Sequence, residues 1–149
     1  MSLAPADRLE LTELVARYAA AVDSREWDRV GSLFCVDGVL IAPDPPGSLR
    51  PTHPHRGPAA IADAMRRLES FALTFHHVTG VVIDDADGES VRGRATAIAH
   101  HVETDPPHSW VWHLVYDDWF TRTPNGWRFE SRALTIRLIE SRPIARVEP

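Results

Sequence analysis

The residues of this chain with the chemistry to move a proton are polar side chains standing where apolar ones are due. Thr74-Phe75-His76-His77-Val78-Thr79-Gly80-Val81-Val82-Ile83 opens an apolar strand with two adjacent histidines. Successive side chains of a strand point to opposite faces. Counting back in steps of two from Ile83 and Val81 places His77 and Phe75 inside and His76 outside. An imidazole at the mouth of an apolar pocket changes charge near neutral pH. The plain alternative is a core histidine bonded to a backbone carbonyl.

Other polar residues fall on apolar faces in the same way. Tyr18 shares the helical stripe of Leu11, Leu14, Val15 and Val22, and Asp23 follows at its end. His101 shares the face of Val91, Gly93, Ala95, Ala97 and Ala99, whose small side chains leave space for a close-packed helix or a ligand. Tyr116, Asp118 and Arg132 stand within the apolar alternation of the last two strands. Each has an innocent reading. Tyr18 can send its hydroxyl to the surface, Asp23 can cap a helix, and Asp118 with Arg132 can form a structural ion pair across strands. What favours a site is convergence, since all of them would face one interior.

The elements that must position these residues follow from periodicity and punctuation. Residues 6 to 22 read as an amphipathic helix, and Asp23-Ser24 caps a short second helix from about Arg25 to Phe34. Asp37-Gly38 signals a turn before the strand Val39-Leu40-Ile41. Residues 43 to 58 hold six prolines and almost nothing to bury, and are expected to form a loop that could serve as a lid. Gly57-Pro58 starts a third helix with Ile61, Met65 and Leu68 on its inner stripe. Strands are expected over 75–83, 89–103, 109–121 and 127 to about 139, with a turn at Asp84 to Gly88 and a loose tail over 141–149. Helices first and long strands after spell one α+β domain with a core over about 6–140.

Composition excludes several classes. Its 16 basic residues are all Arg, and the net charge of −5 offers no electrostatic case for nucleic acid or an anionic membrane. Without lysine, Schiff-base chemistry has no nucleophile. Cys35 stands alone, in Leu33-Phe34-Cys35-Val36, where an inert thiol in a reducing compartment is the expectation. No segment reads as a signal peptide or membrane span, so a cytoplasmic protein is expected. The adjacent pairs His76-His77 and His100-His101 point to opposite faces and cannot grip one ion, and His53 and His55 read as solvated. No metal site is expected.

Together, Tyr18-x4-Asp23-Ser24-x2-Trp27-Asp28-x4-Leu33-Phe34, Asp37-Gly38, Gly57-Pro58-x2-Ile61, His76-His77-Val78-Thr79, Tyr116-x-Asp118, Asn125-Gly126-Trp127-Arg128-Phe129 and Arg132 resemble the SnoaL-like family. That family has the nuclear-transport-factor-2-like fold, a cone-shaped α+β barrel with N-terminal helices on a curved, mainly antiparallel sheet. Its members include dehydratases, cyclases, isomerases and dioxygenase small subunits. Within it the chain looks most like scytalone dehydratase and the bile-acid dehydratases. By that resemblance Asp23, His77 and His101 match catalytic positions, Tyr18 matches a tyrosine of the bile-acid enzymes, and Arg132 their late arginine. Val22 and Ala42 fall where the scytalone enzyme has tyrosines, which argues against the scytalone substrate.

The resemblance implies a cofactor-independent dehydratase, isomerase or cyclase acting on a hydrophobic hydroxylated ring compound of polyketide, steroid or terpenoid type. Asp23 would orient His77 as the general base or acid, with Tyr18 and His101 completing the catalytic set. Tyr116, Arg132, Asp118 and Trp112 would bind substrate. The rival expectation is a ligand-binding or assembly domain without turnover, like a dioxygenase small subunit. Trp110, Trp112, Trp119 and Trp127 suggest more apolar surface than one face buries, hence a homodimer through the outer sheet face.

Overall fold

Pro5 opens the first helix at a position where its missing N–H costs nothing, and Leu11, Leu14, Val15, Tyr18 and Val22 are all buried along it. In the computed structural model, which describes residues 2–86 and 89–148, this helix is α1 (Pro5–Asp23). Then come α2 (Trp27–Ser32), β1 (Phe34–Asp44), β2 (Ser48–Arg56), α3 (Pro58–Met65), a 3-10 turn (Arg66–Ser70), β3 (Leu73–Ile83), β4 (Ser90–Thr104), β5 (Pro107–Thr123) and β6 (Gly126–Pro143). The strands form one open sheet in the order β2-β1-β6-β5-β4-β3. Every neighbouring pair is antiparallel except β1 with β6. The architecture is the α+β cone, with helices packed on a curved sheet.

The helices fill the hollow of that sheet. α2 and α3 touch so closely that a Cβ on Gly31 would come within 2.3 Å of the Pro58 carbonyl oxygen. Along β4 the row Val91, Gly93, Ala95, Ala97, Ala99 and His101 is buried throughout. At Gly93 the space is taken by Phe120, whose Cε2 lies 2.9 Å from where a Cβ would stand.

Four expectations need correction. Residues 43 to 58 do not form a loop: β1 runs to Asp44 and returns as β2, with Ile41 opposite Pro54 and Leu40 opposite His55. Prolines are compatible with a strand at the edge of a sheet, where a missing donor leaves no ladder broken, and β2 is such an edge. Asp37-Gly38 is not a turn but part of a register shift between Phe34 and Val39 in the β1–β6 pairing. The second helix stops at Ser32, and Phe34 already belongs to β1. The 141–149 tail begins later than expected, because His108 still pairs with Pro143. In the expected turn at Asp84 to Gly88, Asp87 and Gly88 lie outside the described residues.

Candidate active site

Asp23 is the last residue of α1, and α1 packs on β3 so that its carboxylate meets two consecutive inward positions of the strand. Oδ2 accepts the backbone N–H of His76 at 2.7 Å. Oδ1 accepts the Thr74 hydroxyl at 3.0 Å and lies 2.6 Å from Nδ1 of His76. A carboxylate already accepting an amide N–H and a hydroxyl is an acceptor here too, so Nδ1 carries a proton, and in the neutral ring the lone pair is therefore on Nε2. The His76 side chain is only 7% exposed and that of Asp23 19%. Nε2 has no hydrogen-bond partner among the described residues, and the ring lines a cavity.

The residue expected in that place was His77. It is exposed, with its ring against Phe75 and His100 on the outer face. The reason is a bulge in β3. His76 pairs with Ala99 and Val78 with Ala97, but the next pair is Gly80 with Thr96, leaving Thr79 as an extra residue. One extra residue inverts the phase of alternation. Val81 and Ile83 do pack against the core, yet counting back through the bulge picks the wrong histidine. Gly80 inside a strand pattern was the available signal, since glycine there often marks a bulge.

The cavity is lined by Tyr18, Met65, His76, His101, Trp112 and Tyr116, among others. Its volume is about 30 Å³, roughly one water's share of the liquid. The Tyr18 hydroxyl lies 3.9 Å from the Met65 sulfur, a weak contact. The Tyr116 hydroxyl has no partner among the described residues. Burial pushes both phenols above their ordinary pKa, more than the nearby Arg132 charge pulls Tyr18 down. Both are therefore neutral donors across physiological pH.

His101 is 1% exposed. Its ring lies 3.9 Å from that of Trp112 and 6.1 Å from that of His76, between centroids. Burial, followed by the His76 charge, pushes its pKa down to about 3. It is a neutral imidazole near pH 7, able to hold a hydrogen bond but not to act as a base of ordinary strength.

Asp118 and Arg132, expected to bind substrate, lie under the cavity and do not line it. They face each other in register on β5 and β6, joined by two bonds of 2.8 and 3.0 Å with both side chains 1% exposed. The guanidinium carbon stacks 3.9 Å from the Tyr116 ring, 4.3 Å from Tyr18 and 4.5 Å from Phe129. Rings cover the cation and Asp118 takes its Nε and Nη2, the arrangement of the structural ion pair of the innocent reading. Trp112 does line the cavity, and Trp127 is buried with its indole N–H on Asp7. Of the chain's five tryptophans, only Trp110 and Trp119 are substantially exposed. Burial raises the Cys35 thiol above its usual pKa.

The SnoaL-like domain family matches residues 4–133. The chain belongs to that family. Protein Rv2910c of Mycobacterium tuberculosis, itself uncharacterised, is 28% identical over 130 residues, which are 87% of this chain and 84% of that one. The hexachlorocyclohexane dehydrochlorinase LinA-type3 from Novosphingobium barchaimii superposes with a TM-score of 0.81 at 17% identity, covering 97% of this chain and 96% of the other. A protein from Novosphingobium aromaticivorans provisionally named scytalone dehydratase superposes with a TM-score of 0.74 at 19% identity, covering 96% of each. At such identities the likeness carries the fold, here the nuclear-transport-factor-2-like cone. No helix among the described residues is long and apolar enough to cross a membrane.

Proposed function

We propose that this SnoaL-like chain is a small lyase or isomerase working by general acid–base catalysis with its own side chains. The observation that carries the reading is the 2.6 Å contact between His76 Nδ1 and Asp23, on a residue that lines the cavity and whose Nε2 has no partner among the described residues. His76 Nε2 takes a proton from the carbon next to a carbonyl, and the bond electrons move onto the carbonyl oxygen. Tyr116, with its free neutral hydroxyl, donates a hydrogen bond to that oxygen as it gains charge. Asp23 stabilises the imidazolium without taking its proton. In a dehydration the proton on Nε2 then goes to a β-hydroxyl, which leaves as water while the enolate electrons re-form the carbonyl and make the new double bond. In an isomerisation the same proton returns to a different carbon. A base or acid so placed contributes roughly 10²–10⁴-fold in rate.

The substrate class we favour is a hydrophobic hydroxylated ring ketone. Its ring enters where Met65 and Leu68 now sit, and methionine adapts readily to such repacking. That the neighbouring folds include a protein named for dehydrochlorination and one provisionally named for dehydration supports elimination chemistry. A second reading is favoured by one observation: about 30 Å³ of cavity is far below the roughly 300–1,000 Å³ of ligand pockets. That reading is an assembly or binding domain without turnover, and it predicts a larger partner on purification. We carry the homodimer through the outer sheet face forward as a proposal, to be read by light scattering.

The deciding experiment assays a panel of hydroxylated cyclic ketones with the wild type, His76→Ala and Asp23→Asn. Turnover that survives both substitutions unchanged rules the dyad out.

A further inference from the structure

Among the described residues a single guanidinium stands at the mouth of the His76 cavity. Arg67, in the 3-10 turn after α3, lines the cavity while remaining largely exposed. It reaches across the opening to β1, where Nη1 donates to the Pro43 carbonyl at 3.4 Å. Among the described residues no carboxylate pairs with it. The nearest acid in its own turn, Glu69, is taken by Arg66 at 3.4 Å and by the Trp27 indole N–H at 2.6 Å. Asp23, the carboxylate that serves the cavity, is occupied by Thr74 and His76.

The charge of Arg67 is felt both on β2 and inside the cavity. On β2, His55 is held below its ordinary pKa by burial first and then by Arg67 and His53. Inside, the same charge reaches the Tyr18 hydroxyl. A chain of net charge −5 thus presents a locally positive entrance to an apolar chamber. An arginine fork matches a carboxylate with two parallel bonds, each stronger than the one long bond it makes to Pro43.

We propose that the site takes an apolar ring compound bearing a carboxylate, with Arg67 receiving the carboxylate at the mouth and the ring directed toward His76. The carboxylate takes the place of the Pro43 carbonyl as partner of Arg67, which also swings the side chain clear of the opening. This deepens the reading given under Proposed function and rests on it only for which cavity is the site.

The test is binding, not turnover: isothermal titration of the whole protein at low salt and neutral pH with trans-cinnamate and its neutral counterpart cinnamamide. The wild type is expected to bind cinnamate about ten-fold more tightly, the scale of one charge-assisted pair. Arg67→Gln should abolish that preference while leaving cinnamamide affinity unchanged, and Arg67→Lys should keep part of it. The proposal is overturned if the wild type shows no preference or no detectable cinnamate binding. It is equally overturned if Arg67→Gln weakens both probes alike, which would make Arg67 a bar that holds the mouth together. A cinnamate preference that depends on Arg67, in a protein that turns over nothing, keeps this site and removes the catalytic reading. Turnover of neutral ketones without any carboxylate preference does the reverse.

Discussion

Two aspartates in this molecule each hold a cationic or ionisable partner under the same sheet, and they do opposite things. Asp118 and Arg132 are closed in on each other: two bonds through Nε and Nη2 join them, three aromatic rings close over the guanidinium, and both side chains are sealed from water. Asp23 holds His76, which lines the cavity, by one ring nitrogen and leaves the other without a partner among the described residues. A buried pair that reaches neither water nor the cavity can only stabilise or specify structure. A pair with one free lone pair at a cavity can accept a proton. Polar residues in an apolar interior are thus sorted by what remains unsatisfied after folding.

That contrast can be broken most forcefully at His76. Replacing it with Ala is expected to lower turnover roughly 10²–10⁴-fold while shifting the urea midpoint little; a large stability loss with activity intact would erase the distinction. The opposite signature is expected for Arg132→Met. Leaving Asp118 buried and unpaired should cost about 3–5 kcal/mol of stability, and changing Asp118→Leu as well should recover most of it. If the single variant is as stable as wild type in urea titrations, the pair is not structural.

A smaller effect lies in the pH dependence of stability. His101 is neutral in the folded chain down to about 3, against an ordinary value of 6.5, so between those limits the unfolded chain binds the extra proton. Stability contributed by the neutral buried ring is whole above 6.5 and is lost progressively as pH falls toward 3. The loss from this group should be about 2 kcal/mol by about pH 5. His101→Gln should flatten the stability–pH curve by that amount, and an unchanged slope would show that His101 is not the group responsible. The smallest effect is expected at His77. His77→Ala should leave turnover within about two-fold, and a loss matching that of His76→Ala would return the base to the outward neighbour.

Much of the cone was legible because its determinants are local and repeated. The stripe of α1, the proline at the start of α3 and the small-residue row of β4 each state a period that only one packing satisfies. The edge strand β2 was not legible, because prolines argue against a strand until its place at the rim of the sheet is known. The Asp118–Arg132 pair was half legible. Its residues stand out as polar in an apolar row, but nothing along the chain says that they face each other in register and leave nothing over for a ligand.

What the amino-acid order determined by itself was the inventory: which carboxylate, which adjacent imidazoles, which phenols, and that they would share one interior. Which imidazole meets Asp23 was decided by tertiary structure alone. The two differ by one position, and one extra residue at Thr79 inverts every side chain that precedes it in β3. Alternation is a local rule and a bulge is set by pairing with the neighbouring strand. Only the folded sheet could therefore assign His76 to Asp23.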